Sequence, residues 1–501
     1  MNKSQQKTGP NLYKELKRYS HDNFYPFHMP GHKRQLSAGP AVHFPNPYAI
    51  DITEIEGFDN LHHAKGIIRD SMEWAASVYG ADKTYYLVNG SSGGILSAVS
   101  AAVGTSGTIL MSRNCHKAVY HGVFLNRIKS RYVYPQFMPE YGVQCGLSPL
   151  DIEKMLKRYG DISTVFVVSP TYDGIVSDIG AIGEICHRHG VPLIVDEAHG
   201  AHFRYSDVFP VSALDRGADV VIQSVHKTLP CFTQSAILHI REGYVDRERI
   251  EWFLQIYQSS SPSYVLMAGI EQGIRWMNEE GRERMREFSG ELVEMRRELH
   301  GMRHLRLLGR DVAGTKDIYD LDISKIIVSA KGTAINGVQL CEKLRRLYGL
   351  EMEMCTEDYV TAITSVMDTK EGLERLKRGL MEIDNSLTGD GEKKGKTEEE
   401  QGNGNGDDTC SWELEQVMTI YEAWESEKEE IALEDCEGRV GGEFVYLYPP
   451  GIPIVVPGER ITREVLDVVL RYRGLGLSVQ GLKDRENRVM EVVRDGKINR
   501  D

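Results

Sequence analysis

Five short apolar runs, at 84–88 (TYYLV), 107–111 (GTILM), 164–168 (TVFVV), 192–195 (PLIV) and 219–222 (DVVI), alternate with stretches of helical periodicity. They are rich in Val, Ile and Tyr and are bounded by polar or glycine-containing segments, the pattern of buried strands. Between two of them, residues 181–188 (AIGEICHR) read as a helix that stops at His189-Gly190. Strands separated by amphipathic helices fold as an α/β protein, a mostly parallel sheet with helices on both faces. Ligands in that architecture bind at the carboxyl ends of the strands. The residues that follow each strand are therefore where chemistry is expected.

The chain has 501 residues, more than the ~250–300 that one core usually fills. Residues 389–408 (GDGEKKGKTEEEQGNGNGDD) hold no apolar side chain and six glycines. Such a stretch buries too little surface to offset its ordering entropy, so it reads as a flexible linker. The expected organisation is an N-terminal arm (1–45), a large sheet domain (46–281), a smaller α+β domain (282–387), the linker (388–411) and a C-terminal α+β domain (412–501). The small domain should hold a strand at 322–330 and a helix at 337–347. The tail should hold a helix at 412–426 and, at 444–456 (FVYLYPPGIPIVV), a turn or edge marked by adjacent prolines.

Charge narrows the function. With 59 basic against 73 acidic residues and a formal net charge of −14, neither a nucleic-acid coat nor an anionic membrane surface is an expected partner. No apolar run reaches the ~18 residues of a membrane span. The N-terminus shows no apolar signal stretch, so the expected location is the cytoplasm. Eight cysteines are scattered without a CxxC pair, which predicts free thiols and no metal site.

Four strand ends carry candidate chemistry. After 84–88 comes Asn89-Gly90-Ser91-Ser92-Gly93-Gly94, whose free amides and hydroxyls suit a phosphate. It is neither a dinucleotide fingerprint nor a P-loop, and a plain strand-to-helix turn also explains it. After 192–195 comes Asp196, a carboxylate costly to bury without a cation. It either caps the next helix or pairs a protonated cofactor nitrogen. After 219–222 comes Gln223-Ser224-Val225-His226-Lys227-Thr228, a lysine where the chain leaves the sheet. After 107–111 comes Arg113-Asn114-Cys115-His116-Lys117, with an imidazole able to pack or to stack. Together these fit pyridoxal 5'-phosphate, which needs a phosphate cradle, a Schiff-base lysine and an acid for its ring nitrogen.

The motifs FHMPGHK (27–33), DITEIEGFDNLHH (51–63), YGADKTYYLVNGSSGG (79–94), SRNCHK (112–117), SPTYDGIVSDI (169–179), VDEAHGAHF (195–203), QSVHKTLPCFTQ (223–234) and YPPGIPIVVPGE (448–459) occur in one order. With them the chain resembles the Orn/Lys/Arg decarboxylases, bacterial-type enzymes on the fold-type-I aminotransferase scaffold. The resemblance implies that Lys227 holds pyridoxal 5'-phosphate, Asp196 pairs its ring nitrogen and His116 stacks on the ring. Ser91, Ser92 and Gly93, with Ser224 and His226, would contact or frame the phosphate. His199 would approach the ring's phenolic oxygen. Glu459 would read the distal cation of the substrate, and residues 260–264 (SSPSY) would reach a neighbouring subunit.

The implied reaction is decarboxylation of a basic amino acid, arginine to agmatine in first place, with lysine or ornithine open. This places the enzyme in polyamine biosynthesis. Val225, Ala64 and Ser92 depart from residues frequent in relatives without removing a required group. No wing domain precedes the core, so a homodimer or a small multiple of dimers is expected. Another fold-type-I reaction, an aminotransferase or an α-oxoamine synthase, is the alternative, though it leaves YPPGIPIVVPGE unexplained. A non-catalytic paralogue is a third.

Overall fold

The computed structural model describes residues 12–105, 107–387, 413–449 and 451–494. The linker expected at 388–411 lies outside them. The central sheet comprises β1 (Lys83–Leu87), β2 (Thr108–Ser112), β3 (Lys129–Val133), β4 (Ile162–Val168), β5 (Leu193–Asp196), β6 (Val220–Gln223) and β7 (Ala236–Ile240). Their order across the sheet is β1-β7-β6-β5-β4-β2-β3, all parallel except β7, which runs against both its neighbours. The five expected strands fall within two residues of those observed.

The period-two backbone explains why the apolar runs are continuous: successive side chains face opposite sides, and both sides are covered. Val165, Val167, Leu193, Val195 and Val221 enter one core. Phe166, Ile194, Val220 and Ile222 enter the other. Helices α1 (Gly90–Val103), α2 (Lys117–Leu125) and α3 (Ile179–Arg188) belong to the crossovers. Asp178 caps α3 by accepting from the Ala181 N–H, and His189 ends it. A one-turn helix, α4 (Val225–Thr228), follows β6.

The small domain holds an antiparallel sheet of β8 (Arg306–Leu307), β9 (Lys325–Ser329), β10 (Met354–Cys355) and β11 (Tyr359–Ile363), ordered β8-β9-β11-β10. Around it lie α5 (Gly281–Leu299), α6 (Gly337–Tyr348) and α7 (Lys370–Ser386). The strand expected from 322 starts at Lys325, because Asp322 turns its carboxylate back onto the Ser324 N–H and the Lys325 amine.

The C-terminal domain holds α8 (Ile420–Glu425), β12 (Lys428–Ala432), β13 (Val445–Leu447), β14 (Ile452–Val455), α9 (Arg463–Gly474), β15 (Val479–Gln480) and β16 (Val489–Val493). The expected turn joins β13 to β14. The helix expected over 412–426 is much shorter. Thr419 accepts from the Glu422 N–H while Glu422 takes the Thr419 N–H, a capping box that starts the helix at Ile420. Upstream, Gln416 bridges the backbone of Glu459 instead.

Two contacts bind the outlying segments to the sheet. Ile420 and Val456 of the tail are buried in the core beneath α1. The arm pairs Tyr25–Phe27 in parallel with Leu350–Met352 and then passes under α4, where the Gly31 N–H donates to the His226 carbonyl at 2.7 Å. A Cβ on Gly31 would stand 2.7 Å from the Leu229 carbonyl oxygen, so only glycine allows this approach.

Candidate active site

At the carboxyl ends of the central strands lies a cavity of ≈ 500 Å³, closed by the loop around β10 and by the β13–β14 turn. Its floor is built by strand exits. β6 ends at Gln223, and α4 then lifts Lys227 into the cavity. Ser224 precedes α4 and spends its hydroxyl on Ser91 Oγ at 2.9 Å, tying two turns together. Ser91 and Ser92 line the cavity, while Gly93 is buried in the first turn of α1.

Asp196 closes β5, buried, with Oδ1 accepting from the Ala198 N–H at 3.0 Å. Burial pushes its carboxyl upward, and the Lys227 ammonium and the Ala198 N–H oppose that. Burial likewise lowers Lys227, and Asp196 is the strongest opposing charge. Lys227 Nζ lies 2.9 Å from His199 Nε2. The His199 ring meets Tyr172 edge-on at 4.8 Å, and its Nδ1 is buried without a hydrogen-bond partner among the described residues.

His116 caps α2, its Nδ1 accepting from the Ala118 N–H at 3.2 Å. Burial, with Lys227 beside it, lowers its pKa to about 3, so the ring is neutral and carries its proton on Nε2. His226 donates from Nδ1 to the Ser235 carbonyl at 2.7 Å, and burial brings it down to about 4. With that proton committed, it frames the cavity without donating into it. Seven expected residues, Ser91, Ser92, His116, Asp196, His199, His226 and Lys227, thus line one cavity, with Ser224 and Gly93 directly behind it.

Glu459 is placed differently from the expectation. It is fully buried and does not line the cavity. Its oxygens accept from Arg113 Nε at 3.2 Å, Arg113 Nη2 at 3.0 Å and the Val456 N–H at 2.8 Å. Arg113 also donates to the Pro453 and Ile454 carbonyls at 2.7 and 3.1 Å. The pair therefore fastens the tail to the end of β2. Removing one partner of a buried pair costs about 3–5 kcal/mol, because the other charge is stranded.

Sequence reasoning passed over the opposite wall, formed by Tyr172, Asp173, Glu353, Glu357 and Asp358. Glu353 accepts from the Met29 N–H at 2.8 Å and from the Tyr172 hydroxyl. Asp173 accepts from the Tyr359 hydroxyl at 2.9 Å, and burial raises it to about 6. Tyr172 and Asp173 follow β4, so the strand-end rule pointed at them. The acidic wall around β10 carried no such signal.

The family profile for the Orn/Lys/Arg decarboxylase major domain matches residues 10–336, and that for the C-terminal domain matches residues 408–484. The chain belongs to the Orn/Lys/Arg decarboxylase family. As a member it is an amino-acid decarboxylase. This decarboxylase is 32% identical over 490 residues to the arginine decarboxylase of Bacillus subtilis (strain 168), covering 97% of this chain and 98% of that one. Over 492 residues it is also 32% identical to the arginine decarboxylase of Halalkalibacterium halodurans, with 97% of each chain covered. The Francisella novicida lysine decarboxylase structure superposes with a TM-score of 0.72 at 19% identity, over 97% of this chain and 81% of that one. The fold is accordingly that of the fold-type-I enzymes.

Proposed function

We propose that this decarboxylase uses pyridoxal 5'-phosphate and converts arginine to agmatine and carbon dioxide, a step of polyamine biosynthesis in the cytoplasm. The observation that carries the reading is the convergence of Lys227, Asp196 and His116, from three strand ends, on one cavity. The donor set fits the cofactor. A buried amine faces a buried carboxylate, a neutral imidazole lies beside them, and the buried Nδ1 of His199 lacks a protein partner among the described residues. Lys227 would hold the group, Asp196 its ring nitrogen and His116 its ring face. Ser91 and Ser92 would face its phosphate, with Ser224, His226 and Gly93 framing it.

When bound, pyridoxal phosphate supplies a sink for the electron pair left on the α-carbon as carbon dioxide departs. Burial biases Lys227 Nζ toward the neutral amine, which can take up a proton and deliver one to the α-carbon. His199, at 2.9 Å, fixes the direction of that amine. His116, neutral, would cover a ring face without competing for the charge of Asp196. The acidic wall of Asp173, Glu353, Glu357 and Asp358 suits the distal cation of a basic amino acid. The two arginine decarboxylases at 32% identity favour arginine over lysine and ornithine.

Incubation with carboxyl-labelled arginine, lysine and ornithine tests the reading; release of labelled carbon dioxide is expected fastest from arginine. No release from any of the three overturns it. Lys227→Ala should lower turnover by on the order of 10⁴-fold and leave a protein that borohydride cannot fix to its cofactor.

We also read the enzyme as a homodimer or a small multiple of dimers. Leu12, Leu36, Tyr48 and Phe58 of the N-terminal stretch are exposed apolar side chains that a second copy would cover. Sedimentation at micromolar concentration should give twice the chain mass or more; a monomer would refute this.

A further inference from the structure

We propose that Glu459 helps set the reaction type by withholding Arg113 from the α-carboxylate of the substrate, so that the group to be expelled meets no free guanidinium. The proposal rests on the decarboxylase reading above and adds to it the treatment of the carboxylate. Among the described residues, Arg113 and Lys227 are the arginine and the lysine that line the cavity. The histidines there, His116, His199 and His226, are held below their ordinary pKa by burial and stay neutral. Lys227 is reserved for the cofactor. Arg113 is therefore the cation that a carboxylate would find, and a guanidinium clasps a carboxylate through two parallel N–H donors.

The fold leaves it no donor to offer. A guanidinium has five N–H bonds, and each finds an acceptor inside the protein. Nε donates to Glu459 Oε1 at 3.2 Å. Nη1 donates to the Tyr120 hydroxyl at 3.2 Å and to the Pro453 carbonyl at 2.7 Å. Nη2 donates to the Ile454 carbonyl at 3.1 Å and to Glu459 Oε2 at 3.0 Å. Glu459 also cancels the charge, and it is itself fixed. Gly458 before it has φ +94°, and a Cβ there would stand 2.4 Å from the Met418 carbonyl oxygen, so the turn that delivers the carboxylate is pressed onto the backbone behind it. Fastening the tail needs one ion pair; it does not need every donor of a cavity-lining arginine to be taken.

The chemistry gives that arrangement a consequence. In decarboxylation the bond from the α-carbon to the carboxylate breaks, its electron pair stays on the α-carbon side, and carbon dioxide leaves neutral. The proton that then completes the amine comes from Lys227. A cation clasping the carboxylate would stabilise the bound substrate and lose its partner as the charge moves away. It would thus deepen the ground state more than the transition state and slow the step. A reaction that keeps the carboxylate, such as amino-group transfer, suffers no such loss. The acidic wall at the other side of the cavity holds the distal cation without touching the departing group.

The test measures kcat and KM for arginine in the holoenzyme, with agmatine, which lacks the carboxylate, as competitive inhibitor. Glu459→Gln keeps an acceptor for the Val456 N–H and releases the cation. Expected are a several-fold lower KM and a kcat lower by on the order of ten-fold, with Ki for agmatine unchanged. Adding Arg113→Met removes the released cation and should return both constants towards those of the parent. KM and the agmatine Ki rising together without rescue would assign the pair to fastening alone and overturn the proposal. Unchanged kcat and KM in Glu459→Gln would overturn it too. A second measurement leaves the pair intact: calorimetry on Lys227→Ala, where turnover is suppressed, should find arginine bound at most several-fold tighter than agmatine. A preference of about a hundred-fold would mean that a cation does meet the carboxylate. Enzyme inert towards arginine but active on lysine or ornithine would overturn the substrate reading, and that amino acid with its own amine would then decide the proposal.

Discussion

Asp173 shows how burial at one residue becomes a pH dependence of the whole fold. Its carboxyl rises from 3.8 to about 6, since desolvation outweighs the single hydrogen bond from Tyr359. The folded state therefore binds this proton more tightly than the unfolded chain does. The resulting stability is complete below about pH 4 and is lost as pH rises through 6, a change of about 3 kcal/mol. Asp173→Asn keeps an acceptor for Tyr359 and removes the titration. Relative to the parent, the variant should gain stability steadily between pH 4 and 7 when thermal unfolding is followed without substrate. A difference between the two that stays constant across that range would show that Asp173 does not titrate as its burial demands. At this scale, the residues legible in the sequence were those fixed by a strand exit: Lys227, Asp196 and His116 each stand one to five residues beyond an apolar run. Glu459 was misplaced because a carboxylate within a tail motif does not reveal whether its partner is a ligand or Arg113, 346 positions away.

Among the elements, the most consequential is the smallest. Helix α4 has four residues, too few to be stable alone, yet it carries Lys227. Its rigidity comes from neighbours: Ser224 is tied to Ser91, and the arm lies against its backbone through Gly31. Gly31→Ala would drive a methyl against the Leu229 carbonyl at 2.7 Å. Overpacking of this kind costs about 1–3 kcal/mol. Because the arm and α4 must part to relieve it, the midpoint of thermal unfolding should fall and turnover should fall with it. A variant that loses stability but keeps full turnover would show that α4 is held without the arm. Four of the five inner strands, β2, β4, β5 and β6, were readable because burial on both faces leaves continuous apolar runs, a signal that needs no partner; β7, equally buried, was passed over. β3 carries lysine and arginine and sits at the edge of the sheet, so it lacked that signal. The tail helix was overlong because its start is set by the Thr419–Glu422 box and by the bridge from Gln416 to Glu459, a contact 43 residues away.

For the molecule as a whole, the question is whether the C-terminal domain is an appendage or a wall of the site. Its composition-defined linker suggests separability, but its contacts do not. Ile420 and Val456 are buried in the core under α1, Gln416 donates to Ser130 Oγ at 3.0 Å, and the Gly451 carbonyl accepts from the Lys117 N–H at 3.3 Å, beside His116. The Arg113–Glu459 pair is closed to water on both sides. Burying two such aliphatic side chains contributes about 3–6 kcal/mol, and the ion pair adds a cost to any separation that would strand its charges. A protease site placed within 389–408 and cut after folding should therefore leave two fragments that migrate as one species and retain decarboxylation. Arg113→Met in the cut protein should let the C-terminal fragment leave, and turnover should go with it, since the β13–β14 turn closes the cavity. If the fragments separate on cutting alone, covalent tethering holds the domain in place; if they separate and the larger one still turns over arginine, the domain is no part of the site.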